Sequence, residues 1–171
     1  MKQKLVFYTF FIIIFLLLQT TLLGYARVYD VAPNLLVVLV IVAAFMRGSV
    51  EGAAVGLFAG FAMDMMFGRT LGFYALLGIY LGVAAGSVNK RLFRENLLVV
   101  LFFTFIYSVA YEYAVYVLST VMSGNLKLLY PMAAVILPEA VYNCVAAVFI
   151  YPLLLWSDKR IAESAKAARK Y

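Results

Sequence analysis

An all-α membrane protein, a compact six-transmembrane-helix bundle in one domain, is the fold class this sequence predicts, and three observations predict it. Of its 171 residues, 67% are hydrophobic and 13% charged, with a mean hydropathy of +1.01; a soluble domain is closer to half apolar and a quarter charged. The apolar residues fall into runs near the roughly 20 residues that cross a bilayer as a helix. Lysines and arginines collect in alternate connecting segments, the pattern that orients membrane helices.

The first span is Leu5–Leu23, behind Lys2 and Lys4. A basic start before an apolar run also describes a signal peptide, but no A-x-A cleavage site follows, so a retained helix is expected. The second span, Val31–Met46, is short for a hydrocarbon core of about 30 Å, and Pro33 suits its first turn. Ser49–Phe67 and Thr70–Val88 are the third and fourth, and Leu97–Val121 is the fifth. The sixth, Tyr130–Trp156, is long and carries Pro131, Pro138 and Pro152. Ser157–Tyr171 reads as a charged, helix-prone cytoplasmic tail, so residues 1–171 form a single integral membrane domain.

Six spans put both termini on one side. With that side cytoplasmic, 11 of the 14 basic residues lie inside: Lys2, Lys4, Arg47, Lys90, Arg91, Arg94, Lys159, Arg160, Lys166, Arg169 and Lys170. Only Arg27, Arg69 and Lys127 lie outside, as the positive-inside rule requires of short loops. The net charge of +6 is therefore read as topology rather than as nucleic-acid binding. Tyr25, Tyr29, Tyr74 and Tyr130 near the outer boundary, and Tyr151 and Trp156 near the inner one, fit an aromatic belt.

The chain has no histidine, so the commonest general base and metal ligand is missing. Cys144 is the one cysteine and reads as a small buried hydrophobe. No nucleophile-and-base set is present, so no catalytic residue, cofactor or metal is expected.

The polar content of the spans is concentrated. Gly48, Gly52, Gly56 and Gly60 are spaced four apart, and Asp64, Gly68 and Gly72 continue the series. Each step of four turns a helix by about 400°, so these residues form one slowly winding stripe. Gly78, Gly82 and Gly86 make a second stripe on the fourth helix. Small residues at this spacing let another backbone approach closely. Two readings stand: packing inside the subunit, or a face that receives a partner's helix. Leu or Ile at 56 or 60 should separate packed helices, whereas Gly52, near the cytoplasmic end, should tolerate Ala better.

Asp64, Glu112 and Glu139 are acids within the spans, all in the outer half. Each needs a partner or a proton to lie there. Ser108, Glu112 and Tyr116 share a helical stripe, Glu139 and Asn143 share another, and Arg69 lies within reach of Asp64. Hydrogen-bonded anchoring, cation or proton coupling, and contact with a partner or lipid are the roles open to them. An anchoring Asp64 should accept Asn in its place, and a charge-coupling one should not.

Several stretches together are similar to the MreD family of bacterial rod-shape-determining membrane proteins. They are LLQTTLL (17–23), APNLLVVLV (32–40), GLFAGFAMDMMFGRTLGFYAL (56–76) and LPEAVYN (137–143), followed by the short basic tail. The pattern G-x-x-x-G-x-x-x-D-x-x-x-G-x-x-x-G, from Gly56 to Gly72, is the most specific. Many members have Pro-Asp where this chain has Pro33-Asn34. The resemblance implies a non-enzymatic subunit of the cell-elongation machinery in the bacterial cytoplasmic membrane. It implies association with MreC, through it with RodA and a class B penicillin-binding protein, and proximity to MreB and to membrane lipids. Partner-binding or bundle-packing residues are then sought among Gly56, Gly60, Asp64, Gly68, Gly72, Pro33, Asn34, Glu112, Pro138, Glu139 and Asn143. The rival reading is a substrate-binding subunit of an energy-coupling-factor vitamin transporter, whose fold the MreD family is thought to resemble. Those subunits carry an A-x-x-x-A motif in the first helix, and this first helix has no small-residue pair at that spacing. A membrane-embedded enzyme is the third class.

Overall fold

The computed structural model describes residues 2–25, 31–67, 70–88, 96–123 and 132–167, and every regular element among them is helical. The helices are α1 (Lys2–Tyr25), α2 (Leu35–Arg47), α3 (Ser49–Phe67), α4 (Phe73–Ser87), α5 (Leu97–Ser123) and α6 (Leu137–Ala167). A π-helical turn, Met132–Ile136, leads into α6. Among the described residues, three helices are long and apolar enough to cross a membrane, over Ser49–Phe67, Leu97–Val121 and Ala134–Arg160; Phe7–Thr21, Leu35–Arg47 and Phe73–Ser87 are shorter apolar helices.

Helix α2 is the centre of the packing, and its sequence explains why. LLVVLVIVAAFMR has no polar side chain before Arg47 and so no face that prefers water. Such a helix is stable only when covered all round. Every residue from Leu36 to Met46 is buried, and α1, α3, α4, α5 and α6 all pack against it. Phe7, Phe11 and Phe15 of α1 meet in succession, tilted and then edge to face, with Phe11 and Phe15 entering the core. Phe45 meets Phe103 of α5 with ring centroids 5.4 Å apart.

One boundary differs from the sequence expectation. Pro33 does not lie in the first turn of α2. The Asn34 side chain accepts the Val37 N–H at 3.3 Å, which makes Asn34 the N-cap and leaves Pro33 before the helix. Helix α6 runs through Pro152 and past Trp156 to Ala167, taking in the first part of the helix-prone charged tail. Its extension is held to the bundle by Asp158, as described below. Gly68 and Arg69, and the loops around Arg27, Lys90 and Lys127, lie outside the described residues.

Candidate functional site

The glycine stripes of α3 and α4 face each other. A Cβ on Gly56 would enter the Gly78 carbonyl, and one on Gly78 would enter that of Gly56. Gly52 opposes Gly82 in the same way, and a Cβ there would also lie 2.5 Å from Cβ of Ala44 on α2. On Gly60 it would lie 2.6 Å from Ala75 Cα. Backbone touches backbone along the whole hairpin, which is the arrangement in which small residues strengthen packing within lipid.

Asp64 ends this seam. It is 2% exposed, and its carboxylate accepts three backbone N–H groups at the start of α4. Tyr74 N–H donates to Oδ1 at 2.8 Å; Gly72 and Ala75 N–H donate to Oδ2, each at 3.0 Å. The first N–H groups of a helix have no partner within it, and hydrocarbon offers none. A carboxylate also suits the positive end of the helix dipole. Gly72 has φ +93° and open space where a Cβ would stand, so conformation rather than packing requires glycine there. Gly56, Gly60, Asp64 and Gly72 thus act together: two allow close approach, one caps the returning helix, and one makes its turn.

A second polar group joins α1, α2, α5 and α6. The Asn34 backbone N–H donates to Asn143 Oδ1 at 2.7 Å, and Asn34 Nδ2 donates to Glu112 Oε1 at 3.2 Å. Asn143 Nδ2 donates to Ser108 Oγ at 3.2 Å, and the carboxyl groups of Glu112 and Glu139 hydrogen bond each other. Gln19 Nε2 approaches Asn34 Oδ1 at 3.5 Å. Leu137 and Pro138 open α6 after the π-helical turn, and Glu139 follows them in its first turn. Asn34, Glu112, Glu139 and Asn143 are therefore neighbours in space. In the sequence Glu112 and Glu139 lie on two separate stripes, and nothing there names a partner for Asn34 or Gln19. The spacing within each helix was visible; the meeting of the helices was not.

A third group, at the other end of α2, escaped sequence reading. Arg47 pairs with Asp158 of α6 and stands 3.7 Å from Glu51 of α3, and the Tyr8 hydroxyl of α1 hydrogen bonds it. In the sequence Arg47 bears only on topology. Asp158, an acid just past the apolar part of the last span, was the available signal.

Apolar helices of membrane-crossing length, joined by buried polar groups at two levels and by a backbone-to-backbone glycine seam, define an α-helical membrane protein. The match to a family model makes this specific. The chain belongs to the MreD family: the model described as rod shape-determining protein MreD matches residues 1–156. That family is one of shape-determining structural proteins. Comparison with curated proteins and with solved structures gives no match.

Proposed function

We propose that this protein is a non-enzymatic scaffold subunit of the bacterial cell-elongation complex. In this reading it crosses the cytoplasmic membrane six times with both termini inside, and it supports rod shape and lateral peptidoglycan synthesis. It binds MreC directly, and through MreC it is linked to RodA and a class B penicillin-binding protein, with MreB on the cytoplasmic side. The bundle is of the kind found in energy-coupling-factor substrate-binding subunits. The observation that carries the reading is the family match along residues 1–156, which takes in the helices from α1 through most of α6. The structure supports one refinement. Gly52, Gly56, Gly60, Gly78 and Gly82 face one another inside the subunit, so a partner helix docks on larger outward side chains and not on the glycine stripes. Purification from membranes tests the function: recovery of MreC supports it, and recovery of an ATPase-driven transmembrane coupling subunit would replace it with vitamin transport.

A further inference from the structure

Helices α5 and α6 run antiparallel and meet in matched steps of four residues. Glu112 hydrogen bonds Glu139. One turn further along, Ser108 accepts from Asn143. The same register sets Thr104 opposite Ala147 another turn on. Successive rungs are about 6 Å apart. Thr104, Ser108, Asn143 and Ala147 are all 0% exposed. The first two rungs are polar on both sides. The third sets a hydroxyl against a methyl, and Thr104 Oγ1 is buried with no hydrogen-bond partner. At the other end of the ladder Gln19 Oε1 is buried and unpartnered too.

Buried polar atoms without protein partners mark places where ordered water belongs. The carboxyl rung has its own requirement. Among the described residues, the titratable groups facing it are Tyr74 of α4 and Tyr111 of α5, with Asp64 of α3 near both tyrosines, and α1 and α2 present the amides of Gln19 and Asn34. None of these is a cation. Two touching carboxylates without a cation repel strongly where water is scarce. A hydrogen bond between two carboxyl groups, moreover, needs a proton on one of them.

We propose that Glu112 and Glu139 form a proton-binding site in the α5–α6 seam, holding a single proton between them, with ordered water at Thr104 as the inner end of the same polar ladder. The remaining negative charge faces Asn34 Nδ2 at 3.2 Å. Removing the proton sets like charges against each other on two helices, at the end of α6 where the π-helical turn and Pro138 interrupt the regular backbone ladder.

Infrared spectroscopy of the purified protein in lipid nanodiscs tests this. The wild type at neutral pH should show the C=O stretch of a protonated carboxylic acid, and raising the pH should remove one such group per chain. Glu139→Gln and Glu112→Gln each leave a single carboxylate beside an amide donor, so each should lose the band while eluting as the folded protein. A wild type with no protonated carboxyl, or with two, overturns the proposal, and so does an unchanged band in folded Glu139→Gln. The wild-type titration decides the matter even if neither variant folds. Thr104→Val, close in volume, should lower the thermal midpoint by removing a ligand of the water. A raised midpoint would show that Thr104 faces dry space and would overturn the hydrated inner end.

Discussion

Replacing Asp64 with Asn tests the reading of the glycine–aspartate motif most directly. From sequence, Asn was expected to serve, because an anchoring group needs only hydrogen-bonding capacity and small volume. The three N–H donors around Asp64 change that expectation. Asn has one acceptor oxygen. Placed where Oδ2 stands, it keeps Gly72 and Ala75 but turns Nδ2 toward the Tyr74 N–H, donor against donor, at the 2.8 Å position. An unpaired buried N–H costs about 1–3 kcal/mol. The two surviving bonds lose charge assistance and become roughly half as strong, and the helix dipole loses about 0.3–1 kcal/mol of stabilisation. Against this, Asn removes the cost of keeping a carboxylate in an apolar site. The balance is a loss of about 2 kcal/mol, on the order of a 30-fold rise in the unfolded fraction. The assay is thermal unfolding of purified protein in detergent, followed by size-exclusion chromatography, with rod-shape complementation alongside. Asp64→Asn should melt lower than wild type and complement weakly, and Asp64→Leu should do worse on both. If Asp64→Asn melts with the wild type, the cap is not what Asp64 supplies and the argument fails.

Other consequences follow from the same geometry. Gly56→Leu or Gly60→Leu should abolish folded yield, because the added atoms fall inside the facing backbone rather than beside a movable side chain; normal yield of either would place the stripe against lipid. Gly52→Ala, expected from sequence to be tolerated, should instead lower the melting temperature, since its Cβ meets Ala44 and the Gly82 carbonyl together. Arg47→Ala leaves Asp158, with 12% of its side chain exposed, without its guanidinium, and should cost about 2–4 kcal/mol of stability. Exchanging the pair, Arg47→Asp with Asp158→Arg, should recover part of that loss, incompletely because Glu51 is 3.7 Å from the Arg47 guanidinium; no recovery would mean the pair contributes nothing. For topology, cysteines placed at Asp30 and Asn125 should react with an impermeant reagent from outside intact cells, and one at Asn89 should not; labelling at Asn89 would remove the six-span arrangement.

Hydropathy and spacing made the elements legible in the sequence. A bilayer requires long apolar helices and penalises each unpaired polar group, so helix positions, the glycine stripes and the isolated acids all stand out one segment at a time. The MreD resemblance rested on the same local stretches. Pro33 stands before the first turn of α2, not in it, for a local reason. The Asn34 cap and the hold on Asp158 are side-chain contacts, and composition alone does not reveal them.

What only the tertiary structure decided is which stripe meets which. The glycines of α3 could have faced a partner; the fold spends them on α4. Asp64 accepts three backbone N–H groups from the helix that folds back over it, a set of partners that no spacing in the sequence names. Asn34 and Asn143 lie 109 positions apart, and nothing in either segment names the other. The physical reason is that a side chain's polarity and size are properties of its own position and can be read there. Its partner is set by the register and facing of whole helices, and those are settled only when the bundle packs as a unit around α2.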